Sequence, residues 1–301
     1  MLLQQLINGL TLGSIYALIA LGYTLVYGIL LLINFAHSEI FMMGAYFGVF
    51  ALLLFEKLHW FQGSPALLVV GALAAAMFCT ALLGVAVEFI AYRPLRNAPR
   101  LAPLISAIGV SIFLQNFMMI VVSPESKPFP ETVPLHVYKI SGTASISSLQ
   151  IIIVVVSVAL MATLHLFVKY TKLGKAMRAT SQDAETAKLM GINVNAVISL
   201  TFFIGAALGG AAGALNGMYY GSVKYNMGFV PGIKAFTAAV LGGIGDVRGA
   251  MIGGFALGII ESLAAGYISS AYKDVFAFII LILVLVFRPQ GLLGRKAANK
   301  L

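Results

Sequence analysis

The sequence predicts an all-α, polytopic integral membrane protein. It reads as one helical bundle over residues 1–301, with about eight or nine transmembrane segments and a short coupling helix on the cytoplasmic side. Three observations predict this. Sixty per cent of residues are hydrophobic and only 10% are charged, against about 25% charged in a soluble domain. The mean hydropathy is +0.99, and 301 residues leave room for about nine spans of ~20–25 residues with loops. Twelve of the 19 lysines and arginines fall in residues 93–100, 169–188 and 288–300. That clustering is the positive-inside pattern, so the net charge of +9 marks cytoplasmic loops and not a nucleic-acid partner. Cys79 is the sole cysteine, which rules out an intrachain disulfide and a cysteine metal cluster. The first charged residue is Glu39 and the first basic one Lys57, so a cleavable leader with a positive start is not expected.

The spans follow in order. Residues 6–32 carry Gly9, Gly13, Ala17 and Gly22 at steps that share a helix face and invite close helix contact. Asn34, His37, Ser38 and Glu39 then interrupt the apolar run, and 40–55 is the second span. Trp60 suits a membrane interface. The third span, 65–91, ends in Tyr92-Arg93-Pro94-Leu95-Arg96, where proline stops the helix and arginine fixes the cytoplasmic side. Residues 101–122 form the fourth span. The loop 123–149 holds Pro124, Pro128, Pro130 and Pro134 with balanced charge, which suits the external face. Residues 150–168 and 196–219 are the fifth and sixth spans. Gly205, Gly209 and Gly213, spaced by four, form the strongest helix-packing ridge in the chain. Residues 231–244 are short for a full span. Gly242-Gly243-Ile244-Gly245 makes a turn before 249–267 and 274–287. With all nine counted, the basic segments share one side only if the N-terminus is periplasmic and the C-terminus cytoplasmic.

The most charged stretch, residues 169–195, lies between two long apolar segments. One reading is a solvated basic loop. The other is a helix of about ten residues, roughly three turns, over 181–190. Thr180 would be its N-cap, Asp183 would stand three residues on to face the free amides, and Gly191 would be its left-handed stop. Ala184, Ala187 and Met190 would give that helix a partly apolar face, and Gly174 and Gly191 would be flexible points at either side. A capped helix with such a face needs a partner protein to lie against.

Along nearly its whole length the chain resembles the LivH-type permease subunits of bacterial high-affinity branched-chain amino acid ABC importers. The matching pieces include Ile33-Asn34-Phe35-Ala36-His37, Tyr92-Arg93-Pro94-Leu95-Arg96, Arg178-Ala179-Thr180-Ser181-Gln182-Asp183, Gly249-Ala250-Met251-Ile252-Gly253-Gly254 and Arg288-Pro289-Gln290-Gly291-Leu292-Leu293-Gly294. Glu185-Thr186-Ala187 followed by Gly191 looks like the cytoplasmic motif that importer permeases offer to their ATPases, with Thr186 replacing an alanine. Ser38 stands where such proteins usually carry glycine. The resemblance implies a second, homologous permease of the LivM type, two ATPases of the LivG and LivF types, and a periplasmic binding protein that delivers leucine, isoleucine or valine. It implies no nucleic acid, and membrane lipid as surroundings. ATP and magnesium would be held by the ATPases and no cofactor by this chain. Independently, the sequence has no G-x-x-x-x-G-K-[ST] phosphate loop. This chain is therefore not expected to hydrolyse ATP by that route, and the resemblance implies a non-catalytic transport subunit.

The ATPase-coupling residues are then Arg178, Thr180, Asp183, Glu185, Ala187, Met190 and Gly191. Asn34, His37, Glu39 and Glu261 are candidates for the translocation path, because ionisable groups inside a span are costly and face a cavity or a partner. The plainer readings are a structural junction at the cytoplasmic end of a span for Asn34, His37 and Glu39, and a local ion pair with Lys234 or Lys273 for Glu261. Glu88 pairs with Arg93 or Arg96, Asp246 with Arg248 or a neighbour, and His165 is structural. The four histidines are scattered without metal-ligand spacing. Two alternatives stay open: a self-sufficient secondary transporter or channel that uses Glu39, Glu88 or Glu261, and a related importer permease for urea, amides or other amino acids.

Overall fold

A computed structural model describes residues 1–60, 63–96, 98–99, 101–131, 136–141, 144–288 and 290–294. Pro134, Arg100 and the basic tail beyond Gly294 lie outside the described residues. Eleven α-helices are present among them: α1 (Leu2–Leu30), α2 (His37–Lys57), α3 (Pro65–Val87), α4 (Leu101–Val121), α5 (Ser148–Tyr170), α6 (Lys172–Gln182), α7 (Ala184–Leu189), α8 (Val194–Tyr220), α9 (Phe229–Gly242), α10 (Val247–Tyr267) and α11 (Lys273–Phe287). Eight segments among the described residues are long and apolar enough to cross a membrane, and α9 is shorter. At 1.5 Å per residue α9 extends about 21 Å, less than the ~30 Å hydrocarbon layer.

Helices α1, α2 and α8 form the centre, with α4, α5 and α11 mostly exposed at the periphery. Hydrophobic burial does not drive helices together in lipid; close backbone packing does, and the glycines permit it. A Cβ on Gly9 or Gly13 would come within 2.7–2.8 Å of the α10 backbone at Ile259 or Phe255. The 205–209–213 ridge is used as expected. Gly205 faces Gly22, Gly209 faces the His37 ring, and Gly213 lies on the carbonyl of Phe41. Gly210 against Thr80 and Gly217 against Phe129 form a second row, which the spacing-by-four reading misses.

The external-loop region is not wholly irregular. Strand β1 (Lys127–Pro128) pairs antiparallel with β4 (Ser222–Val223), and β2 (Val137–Ser141) pairs with β3 (Ala144–Ser147). Gln4 and Asn8 of α1 tie this end together through Ser145 and Gln150. At the opposite end Arg96 meets Asn195, and the backbone amides of Leu292 and Leu293 bond to the last carbonyls of α9. The described parts of the three basic stretches therefore share one end of the bundle.

Candidate functional site

The stretch 169–195 folds as two short helices where one was expected. The Thr171 side chain accepts the Gly174 amide and starts α6 nine residues earlier than predicted. Thr180 therefore lies inside α6, buried, and its hydroxyl has no hydrogen-bond partner among the described residues. The chain breaks at Asp183, which is extended (φ −156°, ψ 108°). Its carboxylate accepts the amides of Glu185 and Thr186 at 3.0 and 3.2 Å and the Thr186 hydroxyl at 2.6 Å. The cap is thus Asp183, because a carboxylate at the helix start meets two free amides and the positive end of the dipole. Gly174 is not a flexible point; it is buried against the carbonyls of Phe167 and Val168, where α6 folds back on α5.

Gly191 takes the left-handed conformation predicted for it (φ 83°), and the Asn193 side chain then accepts the Ala196 amide to begin α8. The expected apolar face divides. Ala187 is buried within the chain's own fold, whereas Leu189 and Met190 are 87% and 78% exposed. Two large apolar side chains therefore project from the basic end of the protein. Glu185 is exposed beside them. Arg178 is exposed, donates to the Lys169 carbonyl at 3.3 Å, and lines a cavity of about 760 Å³ between the ends of α1, α5 and the α9–α10 turn. His165, Lys169 and Arg248 line the same cavity. Asp246 is engaged there through its oxygen with the backbone amides of Arg248 and Gly249, as the α10 cap, where pairing with a side chain was expected.

The Asn34–Glu39 segment also departs from expectation. It is not a water-facing junction at the end of a span, because Asn34, His37 and Glu39 are each almost wholly buried. The chain turns back after α1, with Asn34 Oδ1 accepting the Ala36 amide at 3.0 Å and the Tyr92 hydroxyl at 2.8 Å. The His37 ring lies against Gly22 and Gly209. Gly22 precedes the end of α1 by about 12 Å at the helical rise, so α2 begins inside the bundle. Its first turn meets the first turn of α9, since Gly228 and Gly232 both lie on Ser38. The larger residue at position 38 fits because α9 supplies the glycines. Nδ2 of Asn34, Nε2 of His37 and Oε2 of Glu39 are buried without hydrogen-bond partners among the described residues.

Glu261 is buried and paired with Lys234, whose Nζ lies 2.7 Å from Oε1. Lys234 also reaches Asp274 at 2.5 Å and the Tyr16 hydroxyl at 3.4 Å. Asp274 and Tyr16 are members that sequence reasoning missed. The one signal in the sequence is Lys234 itself, a lone lysine within an apolar segment. Glu88, fully buried in a π-helical turn (Glu88–Tyr92), pairs with Arg96, has Arg93 at 3.9 Å, and accepts from Ser199 at 2.7 Å. Among the described residues no group of three or more His, Cys, Asp or Glu side chains is placed to hold a metal ion.

A family model described as the permease component of branched-chain amino acid transport systems matches residues 5–285. The high-affinity branched-chain amino acid transport permease BraD of Pseudomonas aeruginosa is 49% identical over 303 residues, covering 99% of this chain and 97% of that protein. LivH of Escherichia coli K12, a permease of the same description, is 47% identical over 305 residues with the same coverage. Among solved structures, a metal-chelate type ABC transporter in an inward-facing conformation superposes with a TM-score of 0.52. It is 18% identical and covers 95% of this chain and 85% of that one, so it speaks to the fold alone.

Proposed function

Because the chain belongs to the family of permease components of branched-chain amino acid transport systems, we propose that it is the non-catalytic membrane subunit of an ATP-driven importer for leucine, isoleucine or valine. It forms the passage together with a second homologous permease of the LivM type in the inner membrane. Two separate ATPases of the LivG and LivF types hold the ATP and magnesium, and a periplasmic binding protein delivers the substrate. The N-terminus is periplasmic and the basic end of the bundle is cytoplasmic, in keeping with the positive-inside rule.

One observation carries this reading: Leu189 and Met190 project bare from a capped helix at the basic end. Exposed apolar side chains amid charge mark an interaction site, and here the ATPase groove is the occupant. When the ATPases close, α7 moves, and the two ends of the loop at α5 and α8 carry that motion into the bundle. The branched side chain of the substrate suits an apolar passage.

Reconstitution tests the reading. Proteoliposomes holding this chain, the second permease and both ATPases take up leucine when ATP and the binding protein are supplied. Proteoliposomes holding this chain alone take up none, with or without an ion gradient. Gradient-driven uptake by the lone chain would replace the importer with a secondary transporter.

A further inference from the structure

We propose that the cavity beside Lys234 binds the two charged ends of a free α-amino acid, a site within this one chain; the proposal rests on the transport reading above. The cavity measures about 320 Å³, within the size range of small-molecule sites. It opens between the first turns of α9 and α11 and the strand end of α8, at the end of the bundle opposite the basic loops.

Its charges are of both signs. Lys224, Lys234 and Lys273 line it together with Glu261 and Asp274. Lys234 is committed to both carboxylates, but Lys224 and Lys273 make no ion pair among the described residues. Glu261 is 3% exposed, and its Oε2 has no hydrogen-bond partner among the described residues. A structural ion pair closes on itself, since leaving a buried carboxylate oxygen unmet is costly. Here Glu261 Oε2 is left over, buried beneath the cavity wall, while Asp274, 42% exposed, and the ammonium groups of Lys224 and Lys273 line its open part. A lone anion would satisfy the lysines and repel Glu261; a lone cation would do the reverse. A zwitterion meets both, its ammonium on the Glu261–Asp274 side and its carboxylate on Lys273 and Lys224. Met227, Val230 and Pro231 provide an apolar wall for the side chain.

The test uses the assembled complex in nanodiscs without the binding protein, titrated with radiolabelled leucine. Wild type binds leucine. Glu261→Gln and Lys273→Met each weaken binding about tenfold or more, the usual loss for a charge-assisted hydrogen bond. Lys273→Met, at a partly exposed position, keeps the wild-type melting temperature, which separates binding from folding. Isocaproate, which lacks the ammonium, and isoamylamine, which lacks the carboxylate, fail to compete. The site is overturned if both variants bind as wild type does, if either analogue competes as well as leucine, or if wild type binds no leucine while binding-protein-dependent uptake is intact. Absence of wild-type uptake with the binding protein present would instead overturn the transport reading.

Discussion

Arg96 donates to Asn195 Oδ1 at 2.5 Å across 99 residues of chain, while its other terminal nitrogen holds the carboxylate of Glu88. The first partner begins α8, directly after the two short helices. The second sits in the π-helical turn that ends α3. One guanidinium therefore ties the α3–α4 connection to the far end of the 169–195 loop, so that movement of that loop is passed to α3 as well as to α5 and α8.

Replacing Arg96 by Met should destabilise the protein by about 2–4 kcal/mol, toward the low side of the range for breaking a buried pair. The loss is limited because Arg93 and Ser199 still face Glu88. The double variant Glu88→Gln/Arg96→Met should recover part of it, since no bare buried charge remains. Thermal melting of the purified complex reads both numbers, and additive losses in the double variant would contradict the pairing.

The two short helices make a prediction that one continuous helix does not. Asp183→Ala should loosen α7 by about 0.5–2 kcal/mol, the usual cost of losing a cap. Hydrogen exchange at the amides of 185–190 should then accelerate by about twofold to thirtyfold. Thr180→Val should leave those amides unchanged, because Thr180 lies inside α6 and caps nothing. Equal acceleration in both would restore the single-helix reading.

Exposure separates the roles of neighbouring residues on α7. Leu189→Asp and Met190→Asp should preserve insertion and assembly but uncouple ATP hydrolysis from uptake. Ala187→Asp places a charge in the chain's own packing and should instead lower the yield of folded protein. Cys79 is the sole cysteine, so a Cys79→Ser background carrying Met190→Cys gives a single reporter. It should cross-link to an ATPase subunit in the assembled transporter and remain solvent-accessible in the isolated chain.

What was legible in the residues was mostly what depends on short-range spacing. The apolar spans, the short segment before Gly242, the glycine ridge on α8 and the left-handed stop at Gly191 are local patterns, and they are where expected. The burial of Asn34, His37 and Glu39 was not legible. A polar run between two spans reads as a loop, and it is contacts from other segments, Tyr92, Gly22, Gly209 and Gly228 among them, that make it interior. The break at Asp183 was missed for a related reason. Thr180 and Asp183 are both good caps, and the choice between them is made by the earlier start of α6 at Thr171 and by the burial of Thr180 in tertiary packing. The Lys234 cluster joins α1, α9, α10 and α11, so Tyr16 and Asp274 had no sequence neighbour to point to them.

Two glycines allow the packing argument to be tested at constant chemistry. Gly213 lies on the Phe41 carbonyl and the Ala45 amide, backbone atoms that cannot swing aside, whereas a Cβ on Gly109 of α4 would have nothing within 4 Å. Gly213→Ala must push α8 away from α2, and overpacking of this kind costs about 1–3 kcal/mol. The shift also moves the neighbouring Gly209 off His37, so uptake should fall with stability. Gly109→Ala adds a better helix former at an open position and should leave melting temperature and uptake within error of wild type or slightly raise the former. If the two substitutions behaved alike, close backbone contact between α8 and α2 would not be what holds the centre of the bundle together.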